Sequence, residues 1–315
     1  MINTLLLTEK LRPKELKHMI LPQRIKDAFQ NGLQQNVLLT GSPGSGKTSL
    51  AKILSEDSPR LFINVSDESS VDTVREKIVG FCSTISIMNE ENAMKVVVLD
   101  EFDGASDQFY KALRGTIEKF AKTTRFVATC NWINKVPAPM QSRFEVFIFD
   151  PVNKEEEADL RDQWKSRIKL ILTKMGISID DNALNSFVKK YYPDMRSGLN
   201  CIQRWQIQGL DSITEEKVSE SSWDYEELYE MIFQKLDPVK SYQTIVGQYS
   251  NSVGEIMESL GREFIDWVKE KKSDKIQIIP AAMILIAQHQ AQRTQVIDPV
   301  VSLLSLFYSL QKLTQ

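Results

Sequence analysis

The sequence predicts an α/β fold with a doubly wound, five-stranded parallel sheet in the first half of the chain, and helices alone in the second half. Five apolar runs of four or five residues do not alternate with polar residues, which is typical of strands buried on both faces of a parallel sheet. The stretches between the runs are long enough for crossover helices. The runs cover residues 37–40, 61–65, 96–99, 126–129 and 146–149.

Helical patterns fill the chain after residue 150. Residues 154–175 carry apolar side chains at spacings of four, four and three, which predicts an amphipathic helix. This stripe consists of Leu160, Trp164, Ile168 and Ile171. A length of 315 residues predicts about two domains. We divide the second half further, into a small helical domain at 151–222 and a helical bundle at 223–315, after an α/β domain at 1–150.

Composition and charge exclude several classes of protein. The formal charge of −3, from 39 basic and 42 acidic residues, excludes a uniformly basic coat for nucleic acid but allows a local basic stripe. Three distant cysteines, Cys82, Cys130 and Cys201, do not form a zinc-binding pattern and are expected to be reduced thiols. No apolar run reaches the length of about 18 residues that a membrane span needs. We therefore expect a cytoplasmic protein.

A phosphate-binding loop follows the first predicted strand. Residues 41–48, Gly-Ser-Pro-Gly-Ser-Gly-Lys-Thr, match the pattern GxxxxGK[ST] and open a predicted helix. The glycines let successive backbone N–H groups point at a triphosphate, at the positive end of that helix. Lys47 would contact the β- and γ-phosphates, and Thr48 would offer its hydroxyl to Mg²⁺. The residues predicted to bind nucleotide here are Gly44, Ser45, Gly46, Lys47, Thr48 and Ser49.

Two carboxylates follow the third apolar run. Asp100 would hold Mg²⁺, and Glu101 would be the base that polarises the attacking water. Two carboxylates beside a triphosphate repel one another unless a cation lies among them, so this arrangement requires the metal. The alternative interpretation of the two carboxylates is a strand that ends in a polar turn. Together with the phosphate-binding loop, the pair predicts an Mg²⁺-dependent nucleoside triphosphatase.

Four further segments are similar to motifs of the AAA+ sliding-clamp-loader subunits and occur in the same order. They are Glu-Lys-Leu-Arg-Pro at 9–13 (the "EKYRP" opening), Thr-Cys-Asn at 129–131 (sensor 1), Gln-Ser-Arg at 141–143 (the "SRC" box) and Pro-Asp-Met-Arg at 193–196 (sensor 2). The resemblance covers about residues 1–200. Residues 19–22 resemble in particular the small clamp-loader subunits of T-even-type bacteriophages. Phe144 replaces the cysteine of the "SRC" box, and Trp132 follows Asn131 where smaller residues are usual.

The resemblance implies an AAA+ nucleotide-binding domain at 1–150, a helical lid that carries sensor 2 at 151–222, and a collar that holds an oligomer together at 223–315. It also implies a segment that wraps the adenine and ribose of ATP. The residues of this segment are Thr8, Glu9, Lys10, Leu11, Arg12, Pro13 and Ile20. The collar residues that would line core or interface are Leu228, Ile232, Phe264, Trp267, Ile284 and Leu285.

Three residues receive catalytic or phosphate-sensing roles from the resemblance. Asn131 would orient the water or contact the γ-phosphate, and Arg196 would contact phosphates in its own subunit. Arg143 would be an arginine finger in the neighbouring subunit's site, and Lys47 and Glu101 complete the catalytic set. For both arginines the alternative is an ordinary surface ion pair. Asn64 would restrain Glu101 until DNA binds, or would cap the end of its strand.

The partners that the resemblance implies are copies of the chain, a distinct large subunit in a pentamer, a ring-shaped sliding clamp and primer–template DNA. The DNA would meet helix N-termini and the cations Arg75, Lys111 and Arg114, which are equally typical of a solvated helix face. The clamp would contact an apolar cluster that core packing explains equally well. This cluster consists of Phe81, Ile85, Ile87 and Met88.

The sequence thus predicts a hydrolase of DNA replication, the ATPase subunit of a clamp loader that opens the clamp and places it on primer–template DNA, with hydrolysis stimulated by DNA and clamp. A different AAA+ DNA-remodelling ATPase, such as a branch-migration helicase or an initiator or helicase loader, is the alternative. A scaffold that binds ATP without hydrolysing it is a third hypothesis, and the presence of Glu101 argues against it.

Overall fold

The computed structural model describes residues 6–84, 94–220, 225–234, 253–292 and 298–314, together with residues 243 and 245. The chain forms two compact units, Met1–Val218 and Ser219–Gln315. The sequence predicts this boundary at residue 222. The further division of the first unit at residue 150 stays a prediction.

The first unit contains the predicted five-stranded sheet, in which the described strand pairs are all parallel. The strand order is β2-β3-β4-β1-β5, so β1 lies between β4 and β5. The register sets Val37 of β1 beside Val127 of β4 and Glu145 of β5. The strands are β1 (Val37–Thr40), β2 (Arg60–Asn64), β3 (Lys95–Asp100), β4 (Thr124–Cys130) and β5 (Glu145–Ile148). The predicted fold class is confirmed.

Burial along the strands follows their place in the sheet. All four residues of β1 are buried, as are the first five of β3, because helices cover both faces of the sheet. The edge strands β2 and β5 are less buried and expose Phe62 and Ile148. The non-alternating apolar runs therefore indicated a parallel sheet correctly.

The helices of the first unit either surround this sheet or lie in residues 151–218, most of the segment that the sequence predicts to be the lid and that is called the lid below. The stripe predicted on residues 154–175 is buried, since Leu160, Trp164, Ile168 and Ile171 all pack inward. The α-helices are α1 (Leu7–Lys10), α2 (Gln23–Phe29), α3 (Lys47–Leu54), α4 (Val79–Ser83), α5 (Asp107–Lys119), α6 (Ala138–Gln141), α7 (Lys154–Lys174), α8 (Asp181–Tyr191), α9 (Met195–Ile207) and α10 (Glu215–Glu220). A π-helical turn at Thr73–Ile78 precedes α4, and 3₁₀ turns lie at Leu16–His18, Phe102–Gly104 and Ile133–Lys135.

The lid also contains two short parallel strands, β6 (Ser178–Ile179) and β7 (Ser212–Ile213). The sequence predicts only helices there. Strands of two residues are too short to produce a periodic pattern, so the sequence carried no signal for them.

Polar contacts hold the first lid helix against the α/β part of the unit. The Arg24 guanidinium on α2 donates to Glu156 Oε1 on α7 at 3.0 Å and to the Ile148 carbonyl of β5 at 2.7 Å. Lys26 Nζ donates to Gln163 Oε1 at 3.0 Å. Asn153 caps α7 by accepting from the Glu156 N–H. These contacts fix where the lid enters over the sheet.

The second unit is helical throughout its described part. Its helices are α11 (Tyr225–Phe233), α12 (Val253–Arg262), α13 (Phe264–Lys271), α14 (Ile279–Gln292) and α15 (Pro299–Thr314), with a 3₁₀ segment at Ser273–Ile278. Of the residues predicted to line core or interface, Leu228, Ile232, Phe264 and Trp267 belong to the core of the unit. Leu285 packs against that core, whereas Ile284 is 59% exposed. Among the described residues, no helix is both long and apolar enough to span a membrane.

Candidate nucleotide-binding site

A cavity of about 430 Å³ lies in the first unit, at the carboxyl ends of β3 and β4 and beneath lid helices α7 and α9. This edge of a parallel sheet is where α/β folds bind ligands. Most of the predicted nucleotide-binding and catalytic residues line it. These are Thr8, Glu9, Leu11, Arg12, Pro13, Ile20, Gly44, Ser45, Gly46, Lys47, Thr48, Ser49, Asp100, Glu101, Asn131 and Arg196.

The phosphate-binding loop joins β1 to α3 and has the backbone geometry that its glycines permit. Gly41, Gly44 and Gly46 have φ values of +144°, +73° and +99°. L-residues rarely adopt such conformations. A Cβ atom on Gly44 would lie 1.9 Å from Asp194 Oδ1 on the lid, so a side chain does not fit between the loop and the lid.

Lys47 is the first residue of α3 and is only 7% exposed. Its Nζ donates to the carbonyl oxygens of Gly41 and Ser42, each at 2.8 Å. Burial lowers the pKa of Lys47 from 10.5 to about 8, although nearby carboxylates such as Asp150 oppose this shift. The ammonium group is therefore held inside the loop with weaker solvation than a surface lysine, which favours an anionic ligand.

This lowered pKa predicts that ATP binding weakens as the pH rises through about 8. The ligand-free protein loses the Lys47 proton above this pH, whereas a bound triphosphate favours the protonated form, so binding takes up a proton there. The dissociation constant for ATP, measured in EDTA between about pH 6.5 and 9.5, checks this. In a Lys47→Arg variant the guanidinium does not titrate, so its affinity should stay level. A level profile in the wild-type protein would contradict the prediction.

The predicted magnesium ligands lie together. Asp100 ends β3, and its Oδ1 accepts hydrogen bonds from Thr48 Oγ1 at 2.9 Å and from Thr129 Oγ1 at 2.5 Å. Carboxylate and hydroxyl oxygens are hard ligands of the kind that Mg²⁺ takes. The oxygen atoms of Thr48 and Asp100 therefore fit a metal bound beside phosphates. Thr129, named in the sequence analysis only as part of the sensor-1 segment, orients this carboxylate.

Glu101 follows Asp100 in a conformation that is uncommon for a residue with a side chain. Its φ is +54°, and its N–H donates to Thr129 Oγ1 at 3.2 Å. Strained backbone of this kind is concentrated at functional sites, where the surrounding structure maintains it. Here it turns an exposed carboxylate toward the cavity that the residue lines.

The sensor-1 segment is fixed by an acidic residue that the sequence analysis missed. Asp103, in the 3₁₀ turn after Glu101, accepts from the N–H groups of Asn131 at 3.2 Å and Trp132 at 3.1 Å. The carboxylate thus positions the loop that carries Asn131. Its proximity to Asp100 in the sequence was a usable signal, since an acidic residue close after a strand end can reach the neighbouring strand's loop.

The lid brings two arginines to the cavity rather than one. Arg196 lies at the start of α9, where Asp194 Oδ1 caps the helix by accepting from the Arg196 and Ser197 N–H groups, each at 3.1 Å. Arg167 of α7 also lines the cavity and donates to the His18 carbonyl at 2.6 Å. Arg167 is not among the residues predicted from the sequence. Its position three residues after Trp164 and four before Ile171 places it on the same helix face, which was the available signal.

The N-terminal segment closes another side of the cavity. Arg12 pairs with Glu9, and the hydrogen bond from Arg12 lowers the pKa of Glu9. The Leu7 N–H donates to Gln203 Oε1 on α9 at 2.9 Å, which joins the segment to the lid. Lys10 of the predicted set is exposed and does not line the cavity, so a contact with nucleotide there stays a prediction.

Arg143 lies outside the cavity of its own chain, in the turn between α6 and β5. Its guanidinium pairs with Glu118 and donates to the Pro139 carbonyl. The Arg143 side chain is 17% exposed and the Glu118 side chain 62% exposed, so the pair lies at the surface. The hydrogen bonds described for the Asn64 side chain are to residues other than Glu101, which it was predicted to restrain. Its amide donates to Asp67 Oδ2 at 2.8 Å and its Oδ1 accepts from the Ser66 N–H, as in a strand-end cap.

The three predicted DNA-contacting cations are exposed on neighbouring helical segments. Arg75 lies on the π-helical turn, and Lys111 and Arg114 lie one turn apart on α5. A hydrogen bond of 2.8 Å from Ser106 Oγ to the Ser69 carbonyl joins the regions where these segments begin. Phe81 of the predicted clamp-contacting cluster packs partly against the core. Its other members, Ile85, Ile87 and Met88, lie outside the described residues.

Together, the parallel sheet, the glycine loop with its buried lysine and the strand-end carboxylates define a P-loop nucleotide-binding protein. Residues 37–152 match the model of the ATPase family associated with various cellular activities (AAA). The solved structure of the Thermotoga maritima RuvB Holliday junction branch migration motor is similar, with a TM-score of 0.53 and 21% identity over 82% of this chain and 88% of that one. At that identity the similarity concerns the fold alone.

Curated relatives show to which family within this larger group the chain belongs. The chain is 33% identical to the probable replication factor C subunit 5 of Dictyostelium discoideum and 32% identical to the replication factor C small subunit of Thermofilum pendens. These matches cover 67% and 62% of this chain, and 62% and 61% of the length of the relatives. The small subunit of Archaeoglobus fulgidus is 30% identical over 86% of this chain and 87% of its own length. The chain belongs to the replication factor C small subunit family.

Proposed function

We propose that the chain is an ATPase subunit of a sliding-clamp loader, which opens a ring-shaped clamp and places it on primer–template DNA during replication. The observation that carries the proposal is that Arg143 lies apart from the other predicted catalytic residues. One cavity collects the phosphate-binding loop, the metal-binding pair, Glu101, Asn131 and a lid arginine, while Arg143 lies outside that cavity at the surface. The role that we propose for Arg143 is therefore to complete the site of a neighbouring chain.

ATP fits the cavity on several grounds. The Ser45 hydroxyl in the loop is buried without a hydrogen-bond partner, and the loop glycines leave no Cβ atoms that would keep phosphates away. Thr48 and Asp100 are the residues that would hold Mg²⁺. When bound, the metal neutralises part of the phosphate charge and so makes the phosphorus easier to attack.

The residues around the phosphates would have different roles in hydrolysis. Lys47 supplies a positive charge to the β- and γ-phosphates, and Glu101 accepts the proton of the attacking water. Asn131 orients that water or contacts the γ-phosphate, since its loop is held by Asp103. Arg196, at the first turn of α9, would contact the phosphates from the lid and so link lid position to the bound nucleotide.

Arg143 would act in the site of a neighbouring subunit. Its present partner, Glu118, is mostly exposed, and an ion pair of this kind contributes little to stability. Exchanging Glu118 for a γ-phosphate therefore costs little. The neighbours would be copies of this chain together with a distinct large subunit, in a pentamer.

The DNA contact is proposed for Arg75, Lys111 and Arg114, whose exposed cations would bind phosphates without reading bases. The clamp contact is proposed for the region of Phe81. The likeness of residues 19–22 to the small clamp-loader subunits of T-even-type phages stays a prediction, and so does location in a host's cytoplasm. Met19 and Leu21 are buried, so the likeness there concerns packing beneath the nucleotide-binding loop.

The ATPase rate with and without partners tests the proposed function. We expect the isolated chain to hydrolyse ATP slowly, and a large subunit, a clamp and primer–template DNA to stimulate it strongly together. A four-way DNA junction serves as the control substrate. Fast hydrolysis by the isolated chain would contradict the proposal, and stimulation by the junction rather than the primer–template would favour a branch-migration motor.

A further inference from the structure

The first residues of the phosphate-binding loop are held by the chain segment that follows β5 and leads into the lid. The Ser42 N–H donates to Asp150 Oδ1 at 2.9 Å. A Cβ atom added to Gly41 would lie 2.9 Å from Phe149 Cβ and 3.3 Å from the Asp150 nitrogen, so no side chain fits between the two segments. The geometry of the loop therefore depends on the position of the chain at Asp150.

One peptide unit connects this contact to the lysine of the loop. The unit between Gly41 and Ser42 donates its N–H to Asp150, while its carbonyl oxygen accepts from Lys47 Nζ at 2.8 Å. The N–H and C=O of a trans peptide point in opposite directions from one rigid plane. A hydrogen bond at one end also polarises the group for a bond at the other. The orientation of this plane thus places the Lys47 ammonium.

The backbone of Asp150 is itself fixed by the arginine that holds the first lid helix. Arg24 Nη2 donates to the Asp150 carbonyl at 3.1 Å, and Arg24 Nε donates to Glu156 Oε1 of α7 at 3.0 Å. Glu156 Oε2 accepts from the Val152 N–H at 2.9 Å, at the start of the lid. Asp150 thus joins the phosphate-binding loop to the segment where the lid begins.

The charge of this carboxylate does not help an anionic ligand to bind. Asp150 does not line the cavity, and a negative charge near the phosphates opposes their binding. A carboxylate that accepts a backbone N–H makes a stronger hydrogen bond than a neutral acceptor does. The hydrogen bond from Ser42 therefore explains why an acidic side chain lies at a place where its charge alone would be unfavourable.

We propose that Asp150 is a positioning residue: it orients the peptide unit between Gly41 and Ser42, and through that unit it holds the Lys47 ammonium where the β- and γ-phosphates bind. This role deepens the proposed function and rests on ATP being the ligand. Asp150 acts through the loop and does not touch the nucleotide. Because Arg24 fixes both Asp150 and the first lid helix, the contacts that place the lid also place the loop.

Removing the acceptor at position 150 tests this role, and restoring an acceptor without the charge separates the hydrogen bond from electrostatics. ATP, ADP and AMP compete with a fluorescent ATP analogue on the full chain at about pH 6.5, where Lys47 is protonated. We expect Asp150→Ala to bind ATP and ADP about tenfold more weakly, since the Ser42 N–H loses its partner. AMP should bind as before, because it lacks the phosphates that Lys47 contacts. Asp150→Asn keeps an acceptor and should bind ATP at least as tightly as the wild-type protein.

The three nucleotides distinguish positioning of the loop from a general loosening of the fold. Wild-type affinity for ATP in Asp150→Ala would overturn the inference. An equal loss for ATP, ADP and AMP would also overturn it, because loosening of the fold weakens every ligand of the cavity. A loss in Asp150→Asn as large as that in Asp150→Ala would do the same, since the acceptor would then be irrelevant.

Asp180 provides the matched control. Its Oδ1 also accepts a backbone N–H, from Ala183 at 2.7 Å, but it caps α8 and lies outside the cavity lining. Asp180→Ala should therefore leave ATP affinity unchanged. If Asp150→Ala unfolds, Asp150→Ser replaces it, because the hydroxyl lies one bond closer to the backbone than the carboxylate oxygens, and the same weakening is expected. If the wild-type chain binds no nucleotide, the proposed function fails; if Asp150→Ala binds ATP as the wild-type protein does, only the inference about Asp150 fails.

Discussion

Replacing Lys47 with alanine is expected to weaken ATP binding on the order of a hundredfold or more, and to abolish clamp loading with it. Truncating one member of a buried, hydrogen-bonded charge pair commonly costs about 2–5 kcal/mol. The ammonium of Lys47 is buried within the loop, where its charge is poorly screened by water. The dissociation constant of a fluorescent ATP analogue measures the effect.

Lys52 provides the control for this experiment, because it lies on the same helix and outside the cavity lining. Its Nζ lies over the Phe62 ring, 5.4 Å from the ring centroid. A Lys52→Ala variant should bind ATP as the wild-type protein does. If Lys47→Ala retained wild-type affinity, the cavity described here would not be the nucleotide site.

Replacing Arg143 with alanine is expected to slow hydrolysis in the assembled complex by about 10³- to 10⁵-fold, the contribution that an arginine finger makes in related chemistry. ATP binding to the isolated chain should not change, because Arg143 does not line the cavity of its own subunit. Single-turnover hydrolysis and equilibrium binding measure the two quantities separately. A variant chain mixed with wild-type chains should disable its neighbours' sites.

Glu118→Gln is the matched control for Arg143. If Arg143 served only in a surface ion pair, losing either partner would have the same small effect. We instead expect Glu118→Gln to hydrolyse ATP normally, since the guanidinium stays available to the neighbour. Equal and slight effects of the two variants would contradict the role in trans.

The strands could be predicted because a buried parallel sheet requires short apolar runs that do not alternate with polar residues. Residues of β1 and β3 must be apolar on both faces, and no other short element demands that. The phosphate-binding loop could also be predicted, since its glycines, lysine and threonine are contiguous. Asp100 could be predicted as well, because it directly follows the third apolar run and ends β3.

The parts of the site that were missed depend on packing between distant segments. Arg167 and Trp164 reach the cavity only because α7 folds back over the sheet, a closure that Arg24 and Lys26 hold from α2. A helical stripe shows that a residue is buried and does not show what it is buried against. Lys10 is exposed and does not line the cavity, since a motif shared with a family also includes positions whose side chains face outward.

In the proposed mechanism a triphosphate held by one chain is hydrolysed only when a second chain supplies Arg143. Complementation between two inactive variants is the sharpest test of this dependence. Glu101→Gln lacks the base in its own cavity, and Arg143→Ala lacks the guanidinium for its neighbour's. Each variant assembled alone should be inactive. Mixed assemblies should recover ATPase activity at seams where an intact Glu101 meets an intact Arg143 from the other chain. If the mixtures stayed as inactive as either variant alone, Arg143 would not act on the neighbouring chain's nucleotide.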